Sequence, residues 1–169
     1  QQWGLGPAAL ATVVAGGVED MSCDLQTVFR VVMDEELSEG GGRVGQLLWK
    51  VVMSWTPEHR AAFVEFVTGT SRLPAPGTEL LKVEAPFVAL GPEGHKHMLG
   101  MLPQAHTCDN LLELPNYWGA LLQVRGHTRG TAGLAPGQEE ELLAECEAIL
   151  NERLTMAIAE SAGYELDER

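Results

Sequence analysis

Apolar residues recur at three- and four-residue intervals from Val44 through Leu47, Leu48, Val51 and Val52 to Trp55. That period admits an amphipathic helix and little else, and a stripe of this kind has to be buried against other elements. Thr56-Pro57 comes immediately after it. An N-cap residue with proline at the first helical position predicts a second helix, its inner face holding Ala62, Phe63, Phe66 and Val67, with Gly69 closing it. A further helix is expected from about Gln138. Leu142, Cys146, Ile149, Leu150, Leu154, Ala157 and Ile158 form its core stripe, and Gly163 is its expected end.

Around these helices the pattern is shorter and more broken. Pro7 to Val14 reads as a short helix stopped by Gly16-Gly17. Leu25 to Met33 is a short apolar segment. It runs into Asp34-Glu35-Glu36-Leu37-Ser38-Glu39-Gly40-Gly41-Gly42, where acid followed by three glycines reads as a hinge or linker, or as a plain surface loop. Pro74, Pro76 and Gly77 mark irregular chain, and Leu80 to Leu90 is extended in character. Gly91-Pro92-Glu93-Gly94 reads as a turn and Leu111 to Leu114 as a strand bounded by Pro115. Trp118 to Gly137 holds five glycines and no strong period, and reads as a surface loop. Helices mixed with a few separated strands make an α+β fold, not a regular βαβ series.

Charge and cysteine usage narrow the class of function. A net charge of -13 argues against a nucleic-acid partner, whose backbone repels an acidic surface. No stretch approaches the roughly 18 apolar residues needed to cross a bilayer, so no membrane partner is expected. The start has no basic or apolar signal region and no initiator Met, and so reads as a piece of a longer protein. Cys23, Cys108 and Cys146 are few, odd in number and far apart. They do not read as a disulfide framework, and a reducing cytoplasm or nucleus is the expected location. No glycine-rich phosphate loop occurs, and no cofactor is expected.

Of the three thiols, Cys146 lies on a core stripe and Cys23 stands beside Ser22 and Asp24 with no motif around it; both read as structural. Cys108 differs. It sits in a polar stretch, His106-Thr107-Cys108-Asp109-Asn110, just before the expected strand, where a thiol is half-exposed and reachable. In an extended chain His106 and Cys108 project to one side, with Asp109 to the other. A protonated His106 would then stabilise a thiolate, and Asp109 would weakly oppose it. Metal binding is the rival use, with His95, His97, His106 and Cys108 of the right types for zinc, although their spacing fits no strong zinc signature and none is assigned as a ligand. His59 and His127 read as surface residues without partners.

The stretch Leu102 to Tyr117 resembles the active-site segment of HECT ubiquitin ligases, whose pattern runs L-P-x-(A/S)-x-T-C-x-N-x-L-x-L-P-x-Y. Leu102, Pro103, Ala105, Thr107, Cys108, Asn110, Leu112, Leu114, Pro115 and Tyr117 all match it. Phe66 to Pro74 resembles the family's F-V-x-G-x-S-R-x-P segment, and Leu48-Trp49-Lys50-Val51-Val52 its F-W-x-V-V helix. Ala162-Gly163-Tyr164-Glu165-Leu166 is similar to its closing tail. Gly16 to Asp20, with Asp24-Leu25, resembles the end of its larger N-lobe.

The resemblance implies an α+β C-lobe, a small mixed sheet flanked by helices, over residues 43–169. It implies a remnant of the N-lobe over 1–29, a hinge over 30–42 and a loop insertion at about 118–137. It also implies an enzyme, a ubiquitin-protein transferase. Cys108 would accept ubiquitin from a conjugating enzyme as a thioester and pass it to a substrate lysine in the protein-degradation pathway. His106 and Thr107 would support the thiol, and Tyr164 would be the tail aromatic, two residues further from the end than the family's phenylalanine. Asp109 replaces an aromatic or apolar residue; its charge would hinder thiolate formation or take a proton from the attacking lysine. The conjugating-enzyme site would lie in an N-lobe body upstream, so this piece would load itself poorly. A non-catalytic ubiquitin- or protein-binding module on the same fold is the alternative, and a zinc-stabilised interaction domain a third.

Overall fold

A computed structural model describes residues 21–87, 91–127 and 129–167 of the chain. The helix expected at Pro7–Val14, the Gly16–Asp20 segment and the end of the Leu80–Leu90 stretch lie outside the described residues. The elements, in order, are α1 (Leu25–Val28), β1 (Arg30–Met33), α2 (Glu35–Ser54), α3 (Pro57–Thr68), β2 (Leu80–Glu84) and α4 (Pro92–Gly100). Then come β3 (Gln104–His106), a 3-10 turn (Thr107–Asp109), β4 (Leu111–Glu113), α5 (Tyr117–Val124) and α6 (Pro136–Asp167).

The four strands form one mixed sheet in the order β1-β2-β4-β3. β1 and β4 both run parallel to β2, and β3 is antiparallel to β4. Side chains alternate across a strand. Leu81 and Val83 of β2 and Leu112 of β4 are therefore fully buried, while Lys82 and Glu113 are half-buried and Glu84 is exposed. The architecture is α+β, as the sequence predicts.

Asp34 joins the sheet to the helical layer. One carboxylate oxygen caps α2 by accepting from the Leu37 amide at 3.1 Å, and the other accepts from the Ala85 amide beyond β2 at 2.7 Å. With Glu35 and Glu36 in the first turn facing the positive end of the helix dipole, the acidic run starts a helix. The hinge expectation is thereby corrected: residues 30–33 are strand β1, and residues 35–42 are the first turns of α2. Each glycine in a helix costs about 1 kcal/mol relative to alanine. Burial of Leu37 and Val44 on either side of the glycines offsets that, at about 1.5–3 kcal/mol per fully buried side chain.

α2 and α6 lie side by side. Arg43 pairs with Glu139, Lys50 with Glu147 at 2.8 Å, and the Trp55 indole donates to Asn151 Oδ1 at 2.7 Å. The partners advance together along both helices, so the two run parallel. Thr56 caps α3 as predicted, through the His59 amide at 3.2 Å, and Gly69 ends it at φ 89. Met21, Leu25, Val28 and Phe29 are buried in the same core as Leu48, Phe63, Leu81 and Leu150.

Three other local expectations are corrected. Gly91–Gly94 is no isolated turn, because Pro92 occupies the first turn of α4. The loop expected at 118–137 begins as helix α5, capped by Asn116, with Trp118, Ala120, Leu121 and Leu122 buried; the turn-rich chain starts only after Val124. α6 does not stop at Gly163 but continues to Asp167.

Candidate functional site

β3 and β4 pair so that His106 faces Leu111, which leaves residues 107–110 as the tip of a hairpin. Thr107–Asp109 make the 3-10 turn, and Asn110 closes it in the left-handed region at φ 49, ψ 47. Asparagine tolerates that conformation better than most residues. Cys108 lies in the middle of the turn and is solvent-exposed.

The tip is held on two sides. Asn110 Nδ2 donates to the Leu80 carbonyl at 3.1 Å and to Glu79 Oε2 at 3.3 Å, and the Lys82 amide donates to the Asn110 carbonyl at 2.9 Å. These bonds tie the turn to the start of β2. On the other side Thr107 lies against Gly69, the left-handed residue ending α3. A Cβ at Gly69 would meet Thr107 Cβ at an ordinary 3.5 Å, so the positive φ, not lack of room, calls for glycine. Thr68 and Thr70 continue this wall: Thr68 Oγ1 lies 2.8 Å from both the Val64 and Thr70 carbonyls with its one hydrogen between them, and the Arg72 amide donates to Thr70 Oγ1.

The two braces flank a groove of about 670 Å³. Cys108, Asp109 and Asn110 line one side, and Thr70, Arg72 and Pro74 are among its other lining residues. It is large enough for a short stretch of extended chain.

The 3-10 turn breaks the strand-like alternation, and with it the predicted pairing of His106 and Cys108. His106 Nε2 pairs instead with Glu113 on β4. The Cys108 thiol donates to Asp109 Oδ2 at 3.8 Å, so Asp109 does not point away from it. Tyr164 lies in the last turns of α6, its side chain outside the described residues.

Elsewhere Cys146 is buried, and desolvation, with Glu145 adding to it, pushes its thiol up to about 12. Cys23 is half-buried against the core. His59 is not without a partner: its ring stacks on Trp55 at 3.6 Å, and burial lowers its pKa. His127 is half-buried, its amide donating to the Leu122 carbonyl at 2.8 Å. Among the described residues no three His, Cys, Asp or Glu side chains gather as a metal site, and no helix is long and apolar enough to cross a membrane.

Glu113 and the clamp made by Asn110 are site residues that reading along the sequence does not reveal. The signal for Glu113 is its seven-residue offset from His106, which is informative only once the hairpin register is known.

The HECT-domain (ubiquitin-transferase) family matches residues 5–120. The E3 ubiquitin-protein ligase ptr1 of Schizosaccharomyces pombe is 39% identical over 72 residues, 43% of this chain and 2% of that protein. The probable E3 ubiquitin-protein ligase hulA of Aspergillus flavus is 30% identical over 115 residues, 62% of this chain and 12% of its own. The E3 ubiquitin-protein ligase RSP5 of Chaetomium thermophilum is 35% identical over 79 residues, 43% of this chain and 9% of its own. The chain thus spans at most 12% of the length of these curated relatives.

Proposed function

The chain belongs to the HECT-domain (ubiquitin-transferase) family, and on that premise we propose that Cys108 carries ubiquitin as a thioester. The observation that carries this reading is the place of Cys108: exposed at a hairpin tip braced on two sides, at the edge of a groove. Its thiolate attacks the C-terminal carbonyl of ubiquitin held on a conjugating enzyme. A new carbon–sulfur bond forms at Cys108, and the donor cysteine leaves as its thiolate. A substrate lysine amine then attacks the same carbonyl, the isopeptide bond forms and Cys108 is released.

Thr107, seated on Gly69, and His106, held by Glu113, are positioning residues for this thiol. Holding the sulfur in place matters because orientation alone supplies several kcal/mol of a barrier of this kind. Ubiquitin, a conjugating enzyme and a protein substrate are the partners in this reading, in the cytoplasm or nucleus. A binding module without catalysis is the rival, favoured by the Asp109 carboxylate that accepts the thiol's hydrogen.

Ubiquitin bearing an electrophilic C-terminus separates the two. The expected result is one covalent adduct on the folded chain, mapped to Cys108 by peptide mass spectrometry and absent from Cys108→Ala. No adduct on folded protein, while a control ligase is labelled alongside, selects the binding module.

A further inference from the structure

Among the described residues one carboxylate lies within bonding reach of the Cys108 sulfur, and it is not engaged in the fold. Asp109 Oδ2 accepts from the thiol at 3.8 Å; the residue is exposed, and among the described residues it forms no ion pair. The other acid on the groove wall, Glu79, is bonded by Asn110 Nδ2 at 3.3 Å. The neighbouring acid Glu113 is bonded by His106. Once the sulfur is acylated it has no hydrogen to donate, so Asp109 loses this partner at the moment an amine must approach. We propose that Asp109 is the acceptor subsite of the transfer step, binding the ε-ammonium of the incoming lysine beside Cys108 and taking a proton from its nitrogen as the acyl group moves. This inference rests on Cys108 being the acylated thiol.

The chemistry limits what the carboxylate does and when. Carboxylic acids titrate near 4 and lysine near 10.4, so a carboxylate does not strip a lysine ammonium in its ground state. It binds that ammonium as a charge-assisted hydrogen bond and concentrates the amine at the groove. The minor fraction of free amine attacks the thioester carbonyl, and its nitrogen becomes positively charged and far more acidic in the tetrahedral adduct. At that stage one N–H proton passes to Asp109. The carbon–sulfur bond breaks, the isopeptide carbon–nitrogen bond is retained, and Cys108 leaves as thiolate. The proton on Asp109 then returns to the sulfur or passes to water, which restores the starting thiol and carboxylate.

The test is a single-turnover chase. The chain is loaded by exchange with a small-molecule thioester of ubiquitin, the excess donor is removed, and free lysine or hydroxylamine is added. Hydroxylamine is neutral at pH 7, and because its conjugate acid is far stronger than lysine's, its adduct nitrogen gives up its proton to water, so neither the ammonium subsite nor the proton acceptor does much for it. Asp109→Asn is expected to slow discharge to lysine by about a hundredfold, the lower end of general-base effects. It should also raise the lysine concentration needed for half-maximal rate, while discharge to hydroxylamine stays within about twofold and Asp109→Glu restores part of the lysine rate. Equal loss with both nucleophiles, unchanged discharge to lysine, or a variant that fails to load when the wild type loads would each overturn the subsite. Failure of the wild type itself to load would instead overturn the Cys108 reading, and this inference with it.

Discussion

Asn110 stands in the left-handed region between the 3-10 turn and β4, and its side-chain amide binds the Leu80 carbonyl and Glu79. The residue therefore stabilises the Cys108 turn in two separable ways. Asn110→Gly keeps the backbone conformation and loses the amide bonds, at about 1 kcal/mol. Asn110→Ala loses both, adding about 1–2 kcal/mol for a side chain forced to positive φ. Urea unfolding of the two variants is expected to rank wild type above glycine above alanine, and both should label more slowly with electrophilic ubiquitin. An alanine variant as stable as the glycine variant would remove the strain argument. The site was only partly legible from its residues. An exposed cysteine beside a strand was readable because His106, Thr107, Asp109 and Asn110 are polar and Leu111–Leu114 are not. The directions of His106 and Asp109 were not, because they depend on a 3-10 turn that replaces period-two alternation with a tighter helical one.

At the scale of the element, α2 carries the sharpest disagreement between composition and conformation. Gly40, Gly41 and Gly42 weaken a helix, yet Asp34 caps it and Leu37 and Val44 are buried on either side. Gly41→Pro separates helix from linker. Inside a helix the substitution removes a backbone bond and collides with the preceding turn, at about 3 kcal/mol, whereas a linker absorbs it with little change. A large drop in the urea midpoint, with loss of helical ellipticity, is the expected outcome; an unchanged midpoint would restore the hinge. The long periodic stripes of α2, α3 and α6 were legible because each repeats over several turns and because Thr56-Pro57 and Gly69 carry end signals. α5 was not, since eight residues, Tyr117–Val124, are too short to display a period. α4 was hidden because Gly91-Pro92 is as good a turn as it is a helix start.

Across the whole molecule, α6 closes the core over α2 and α5, and two ionisable groups are buried there. Cys146 lies on the inner stripe of α6, and Tyr117 opens α5 with its hydroxyl donating to the Met101 carbonyl at 2.6 Å. Burial pushes the Cys146 thiol from 9.0 up to about 12. Burial also raises Tyr117 well above 10.0, with Arg153 opposing that in part. Both groups are neutral when protonated, so the folded chain keeps protons that the unfolded chain releases. The stabilisation from Cys146 is complete below the unfolded thiol's pKa of 9.0 and is lost as pH climbs toward about 12. In that window each pH unit removes up to about 1.4 kcal/mol for one such proton, and Tyr117 adds its own loss above 10.0. Cys146→Ala removes the thiol proton from this balance and leaves the tyrosine's in place. At neutral pH the variant is expected to be less stable, because Cys146 is fully packed and the substitution leaves a small cavity. Between about pH 9 and 10.5 its stability should fall less steeply than that of the wild type, so the two unfolding curves converge as pH rises. Urea unfolding at intervals across that range measures the gap directly. Parallel curves would mean that the Cys146 thiol does not stay protonated in the fold, and that α6 does not seal the core at this position.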